Sequence, residues 1–171
     1  MNKPLVLLII LVLVMGSLYA ENPAAFIQRG PRELAFGNMH WRLKSSLTQV
    51  SPGPNYYSGS EDSVWVDDWG LHLTIKQYNE KWWATEIFTK ERVGYGSYTF
   101  SVETPVHDFE PQVVAGFFTW DTSPEEYNRE IDIEFAAWGQ QDGTKFQYVV
   151  QPYTDENRMH IFDPMLQGNG T

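Results

Sequence analysis

The chain has 171 residues, a formal net charge of −10 at pH 7 and a sequence isoelectric point near 4.7. The chain is acidic and has no cluster of Lys or Arg, so it lacks the basic surface that nucleic-acid binding requires. We therefore expect no nucleic-acid partner. The chain has no cysteine, which excludes disulfides and a cysteine-linked lipid anchor.

The first twenty residues, MNKPLVLLIILVLVMGSLYA, are typical of a secretory signal peptide. Their apolar run, residues 5–15, is too short for a membrane span of about 20 residues. We expect cleavage after Ala20, although Leu18 fits the small-residue rule poorly, and a product secreted to the extracellular space or periplasm without membrane attachment. Residues 21–171 then form one domain, because no Pro/Gly-rich linker divides them.

The first strand signals lie between residues 64 and 103. VWVDDWGL (64–71) predicts a hairpin whose turn contains Asp67, Asp68 and Gly70. LHLTIK (71–76) and SYTFSVE (97–103) both alternate apolar and polar residues, as half-buried strands do.

Two more strand signals follow, VVAGFFTW (113–120) and FQYVVQPY (146–153). The first is apolar on both faces, as expected of a central strand that another sheet covers. No stretch after the signal peptide has helical periodicity over ten or more residues. Many short strands separated by Gly, Pro, Asp and Asn predict an all-β antiparallel β-sandwich.

The segment REIDIEF (129–135) places three carboxylates at alternate positions, Glu130, Asp132 and Glu134. In a strand these acids share one face, and the residues between them share the other. The residues of that apolar face, which we expect to pack between the sheets, are Ile131, Ile133 and Phe135. Crowded like charges raise the pKa of one carboxyl while another stays ionised, and this repulsion is the source we expect for a raised pKa here.

Such a pair of carboxyl groups suits the cleavage of a glycosidic bond. A retaining glycosidase needs a nucleophile and an acid/base with carboxyl groups about 5 to 5.5 Å apart. Glu130 and Glu134 are about 13 Å apart at Cα in a strand, so their side chains must lean together. Spacing alone leaves catalysis, a solvated acidic strand and a cation site open.

EIDIEF, preceded by GYGSYTF and VVAGFFTW, resembles glycoside hydrolase family 16 over about residues 65–153. The uninterrupted E-x-D-x-E is similar to the licheninase (endo-1,3(4)-β-glucanase) and xyloglucan endotransglycosylase branches. The resemblance implies a jelly roll of the concanavalin A-like type and a retaining mechanism. Glu130 would be the nucleophile, Asp132 the residue that tunes it, and Glu134 the acid/base. Family members continue past Thr171, so we expect a fragment whose sandwich is incomplete at its C-terminus.

The resemblance also implies substrate-binding residues. Trp120 matches an aromatic residue that stacks on a sugar, with a core Trp as the alternative. Glu86 matches a cleft acid of the licheninase branch, with a solvated strand acid as the alternative. Trp138 either forms a cleft wall or caps the sandwich.

Two glutamines complete the set of candidate residues. Gln147 matches a glutamine that follows the catalytic strand in the family. The family often has Asn two residues later, where this chain has Val149, and Gln151 is the residue that can substitute for that Asn.

These observations predict a monomeric endo-β-glucanase that cuts neutral β-linked polysaccharide, either mixed-linkage or β-1,3-glucan. A transglycosylase of the same family and a non-catalytic carbohydrate-binding jelly roll are the alternatives. We expect no cofactor, because the four histidines lack zinc-ligand spacing and no nucleotide motif occurs. A structural calcium ion is possible in the family but cannot be assigned to residues here.

Overall fold

The structure is a computed structural model that describes residues 6–12, 32–140 and 145–162. The predicted cleavage position after Ala20 lies outside the described residues. Secondary structure is mostly β, which confirms the all-β prediction. The curled antiparallel and mixed sheets are compatible with a sandwich, and the jelly-roll connectivity stays a prediction. The chain forms two compact units, one within residues 8–91 and one within residues 92–171.

The unit of residues 8–91 is organised around one long strand, β9, whose segment Ala84–Ile87 is buried on both faces. Strands β1, β3 and β8 pair with β9 in antiparallel orientation, and β5 pairs with it in parallel. The strands are β1 (Val6–Val12), β2 (Arg32–Phe36), β3 (Met39–Leu43), β4 (Ser46–Val50), β5 (Asn55–Tyr57), β6 (Val64–Asp67), β7 (Gly70–Leu73), β8 (Lys76–Tyr78) and β9 (Lys81–Thr89).

The predicted hairpin is confirmed, because β6 and β7 pair in antiparallel register from Val64 opposite Leu73 to Asp67 opposite Gly70. Gly70 has φ of 131°, a conformation that L-residues rarely adopt. The predicted strand 71–76 is broken in two, since β7 ends at Leu73 and β8, which pairs with β9, begins at Lys76. The alternating pattern therefore covers the end of β7 and the start of β8.

The unit of residues 92–171 is a meander of four antiparallel strands in chain order. Both strand predictions in this region, 113–120 and 146–153, are confirmed with ends moved by a few residues. The only helical elements described are short 3₁₀ segments. The elements are Val106–Asp108 (3₁₀), β10 (Val114–Trp120), Pro124–Arg129 (3₁₀), β11 (Ile131–Ala136), β12 (Lys145–Val150), Glu156–Arg158 (3₁₀) and β13 (Met159–Phe162). No helix in the described ranges has the length and apolar character that crossing a membrane requires.

The prediction of a strand over residues 97–103 is wrong. These residues form no strand, and of their alternating apolar side chains Tyr98 and Val102 are exposed while Phe100 is half-buried. Phe100 stacks on Phe117 of β10 with ring centroids 4.4 Å apart. Tyr98 instead donates its hydroxyl to the carbonyl of Gly94. Alternation of apolar residues alone does not distinguish a paired strand from an unpaired segment.

Aromatic packing holds the meander together on one face. Phe117 meets Phe135 edge to face at 5.9 Å, and Phe135 meets Phe146 at 4.5 Å, so the rings bridge β10, β11 and β12. Phe135 is 8% exposed and belongs to the core, as predicted. Ile131, at the start of the same strand, is 48% exposed, so the prediction that it packs between sheets is wrong.

Candidate active site

The three acids lie on one face of the meander, along β11 and the residue that precedes it. Asp132 and Glu134 belong to β11, and Glu130 directly precedes that strand in extended conformation. Strand alternation therefore places the side chains at 132 and 134 together and carries Glu130 to the same side. Asp132 is 7% exposed, while the two glutamates keep partial access to solvent. We call these three residues the acid row.

The neighbouring strands leave room beside one end of the acid row. Glu134 lies opposite Gly116 of β10 and opposite Gln147 of β12. A Cβ atom added at Gly116 would come within 3.4 Å of Cγ of Glu134, so glycine keeps the space next to that carboxyl free. Asp132 lies between Phe118 and Val149, which are both buried, and this explains its low exposure.

Burial raises the pKa of every member of the acid row, and the charge of Asp132 raises the pKa of the two glutamates further. Desolvation is the largest cause for Glu130, followed by the charge of Asp132 and a hydrogen bond with it, and the pKa reaches about 7. The pKa of Glu134 also rises to about 7, again through burial first and the charge of Asp132 second. Burial raises the pKa of Asp132 as well. The expected repulsion contributes, but burial is the larger cause.

The two glutamates have the same raised pKa, whereas crowding was expected to separate an acid from a carboxylate. At neutral pH each is close to half protonated, because its pKa is about 7. The site thus supplies both a proton donor and a carboxylate near neutral pH, and pKa alone does not say which glutamate takes which role. The hydrogen bond between Glu130 and Asp132 sets Glu130 apart, since Glu134 is bonded to an amide instead.

Both candidate glutamines contact the acid row directly. The side-chain amide of Gln147 donates to Oε2 of Glu134 at 2.9 Å, and that of Gln151 donates to Oδ2 of Asp132 at 2.9 Å. Each bond favours the ionised carboxylate and opposes the effect of burial. Val149 lies in the core with 2% exposure, and Gln151 provides an amide donor to Asp132 from beyond the end of β12.

The two candidate tryptophans are both accessible. Trp120 ends β10 two residues after Phe118, so alternation puts it on the same face as the acid row. It is 36% exposed, which suits an aromatic surface for a sugar ring better than a core residue. Trp138 follows β11 with φ of 46° and is 41% exposed. Its position after the strand is compatible with a wall beside the row.

Glu86 lies on β9, in the unit of residues 8–91, and is neither exposed nor solvated. Its side chain is 3% exposed, and its Oε2 accepts a hydrogen bond from Nζ of Lys44 at 2.6 Å. Nζ of Lys44 also lies 4.4 Å from the ring centroid of Tyr57. Burial raises the pKa of Glu86, and Lys44 opposes that rise. The alternative of a solvated strand acid is therefore wrong.

Sequence reasoning missed the connection that leads from β10 into the acid row. Asp121 is 3% exposed and accepts a hydrogen bond from Nη1 of Arg129 at 2.7 Å. Thr119 bonds to the backbone on both sides of Glu130. These interactions join residues 8 to 12 positions apart, so they do not follow from a local sequence pattern.

Across the residues that the structure describes, no group of three or more His, Asp or Glu side chains is arranged to hold a metal ion. The cation-site alternative for the acid row therefore rests on sequence spacing alone. Comparison of the chain with protein-family models, with curated proteins and with solved structures finds no match.

Proposed function

We propose that the chain is a secreted retaining endo-β-glucanase, related to glycoside hydrolase family 16, that hydrolyses neutral β-linked polysaccharide. The observation that supports this most directly is the acid row, in which two glutamates with a pKa of about 7 flank a buried aspartate. Retaining hydrolysis needs a carboxylic acid and a carboxylate at the same site and at the same pH.

In the proposed mechanism Glu134 protonates the glycosidic oxygen while the carboxylate of Glu130 attacks the anomeric carbon. The bond between that carbon and the leaving oxygen breaks, and a glycosyl ester on Glu130 forms. Glu134, now ionised, then takes a proton from water, which attacks the same carbon and releases Glu130. Asp132 shares a hydrogen bond with Glu130 that raises the pKa of Glu130, so Glu130 attacks only when its carboxyl group is ionised.

The groups around the acid row support these roles. Gln147 and Gln151 fix the orientation of Glu134 and Asp132, because each amide is within hydrogen-bond distance of one carboxylate oxygen. Trp120 offers an exposed aromatic ring on the same face for a neutral sugar to stack on. The net charge of −10 favours a neutral substrate over an anionic one.

The experiment is a comparison of reducing-end release and chain transfer on mixed-linkage glucan, laminarin and xyloglucan. Hydrolysis predicts new reducing ends, whereas a transglycosylase transfers chains to added oligosaccharide acceptors without net release. Binding without either product would identify the non-catalytic alternative and refute the enzyme proposal.

Substitution of the acids tests the assigned roles. Glu130→Ala should lose activity that azide or formate restores with a glycosyl product of inverted configuration. Glu134→Ala should instead retain activity on substrates with good leaving groups, since these do not need protonation. If azide or formate restored activity to Glu134→Ala with an inverted product, and Glu130→Ala kept activity on substrates with good leaving groups, the two roles would be exchanged.

A further inference from the structure

The hydroxyl of Thr119 holds the backbone on both sides of Glu130. Its Oγ1 donates to the carbonyl of Arg129 at 2.9 Å and accepts the N–H of Ile131 at 3.0 Å. Glu130 is the single residue between those two peptide groups. One side chain therefore restrains the chain directly before and directly after the proposed nucleophile. We call these two bonds the Thr119 bracket.

The backbone that enters Glu130 needs such restraint, because it has a conformation that L-residues avoid. Tyr127, Asn128 and Arg129 have φ of 50°, 56° and 49°, so three successive non-glycine residues are left-handed. Left-handed α conformation brings Cβ close to the following carbonyl oxygen and occurs normally in single residues. Neighbouring contacts must hold a run of three in place.

Asp121 supplies part of that restraint from the other end of the connection. Its backbone N–H donates to the carbonyl of Asn128 at 2.8 Å, and its Oδ2 accepts from Nη1 of Arg129 at 2.7 Å. Its Oδ1 accepts the N–H of Ser123 at 2.7 Å, so both oxygens have partners. Because Asp121 is 3% exposed, this charge pair is protected from solvent on the carboxylate side.

Glu130 itself is held at two further backbone positions. Its N–H donates to the carbonyl of Tyr127 at 3.2 Å, and its carbonyl accepts the N–H of Gln151 at 3.1 Å. Its side chain is left to interact with Asp132 in the acid row. These two bonds and the Thr119 bracket act on the main chain, so they position the backbone of Glu130 and leave its carboxyl group free of them.

We propose that Thr119 is a positioning residue for Glu130, and that the bracket sets the attack geometry of its carboxylate. This inference rests on the proposed function. Thr119 alternates with Phe118 and Trp120 along β10, so its side chain lies on the face opposite the acid row and does not contact substrate there. Small displacements of a reacting group from its attack position lower rates by large factors, up to about 100-fold for 1 Å.

The test compares Thr119→Val, which keeps the shape but loses the hydroxyl, with Thr119→Ser, which keeps the hydroxyl but loses the methyl group. For Thr119→Val we expect kcat to fall about 10- to 100-fold with KM changed less than about 2-fold. For Thr119→Ser we expect kcat within about 3-fold of the unmodified chain. A fall that spares KM reports loss of transition-state interaction, and rescue by Ser assigns it to the hydroxyl.

The second readout is covalent labelling by an activated 2-deoxy-2-fluoro-β-glucoside, which is located by peptide mass. The label should appear on Glu130 in all three proteins and form about 10- to 100-fold more slowly in Thr119→Val than in the other two. Equal kcat in the Val variant and the unmodified chain would overturn the inference. Equal losses in the Val and Ser variants would overturn it too, because the methyl group would then be responsible.

If Thr119→Val does not fold, Thr119→Ala, which also lacks the hydroxyl, takes its place, and Asp121→Asn tests the second restraint on the same connection. The amide oxygen can still accept the N–H of Ser123, but the Asp121 charge that pairs with Nη1 of Arg129 is gone, while Glu126 still pairs with Nη2. We expect kcat to fall about 3- to 10-fold with KM unchanged, and an unchanged kcat would refute the role of this restraint. Failure of the proposed function has a different signature: the unmodified chain itself would show neither turnover nor label.

Discussion

Replacing Glu134 by Gln should stabilise the fold at alkaline pH and leave it unchanged at acidic pH. The folded chain raises the pKa of Glu134 from the ordinary 4.5 to about 7, chiefly through burial. Since the folded-state pKa lies above the unfolded one, the folded state binds more protons between these values. The stability therefore falls as pH rises from about 4.5, and the full cost of the buried charge is present above about 7.

The size of the effect follows from the same two values. The difference between 4.5 and about 7 corresponds to about 3 kcal/mol at about 1.36 kcal/mol per pH unit. Partial access of Glu134 to solvent reduces this to roughly 1–2 kcal/mol. Gln has no charge to bury and retains an oxygen that can accept the amide of Gln147. For a chain of this length we expect the midpoint of thermal unfolding to rise by about 2–8 °C.

Thermal unfolding followed by circular dichroism at about pH 4, 6 and 8 measures this difference. Glu103→Gln is the matched control, because Glu103 lies in the same unit and is exposed. The gain of Glu134→Gln over the unmodified chain should vanish near pH 4 and grow toward pH 8, while the control stays flat. A gain that is equal at all three values, or a loss at pH 8, would refute burial as the cause of the raised pKa.

Two further predictions concern the pH dependence of activity and the buried pair of Lys44 and Glu86. The plot of kcat/KM against pH should be a narrow bell centred near 7, because the pKa values of Glu130 and Glu134 are both about 7. A broad plateau from about pH 5 to 8 would contradict this prediction. Lys44→Met should destabilise the chain by about 3–5 kcal/mol in urea unfolding at pH 7, because it leaves buried Glu86 without its cation. Adding Glu86→Gln should recover most of that loss, and a double variant no better than Lys44→Met would count against the pairing.

Sequence periodicity was sufficient for the elements whose pattern matches their pairing. The alternation in β11 placed the acids on one face and Phe135 in the core, and both are observed. The hairpin of β6 and β7 followed from turn residues and flanking apolar residues, because short-range chemistry decides such turns. The strands β10 and β12 were predicted from their runs of apolar residues.

Features that depend on distant partners were not predictable in this way. Residues 97–103 alternate like a strand, but they form no backbone ladder, and only Phe100 packs, by stacking on Phe117. Glu86 was expected to be a cleft acid or a solvated one, and its burial depends on Lys44, which lies 42 positions earlier. Asn128 commonly adopts a left-handed conformation as a single residue, but nothing in the sequence signals the run of three before Glu130.

The acid row also changes the way the chain carries charge. The formal value of −10 counts all 22 Asp and Glu as ionised, yet Glu130 and Glu134 each carry only about half a charge at pH 7. The row therefore buffers protons near neutrality, where ordinary carboxylates have already lost theirs. Electrophoretic mobility should vary more steeply around pH 7 in the unmodified chain than in a variant with both glutamates replaced by Gln.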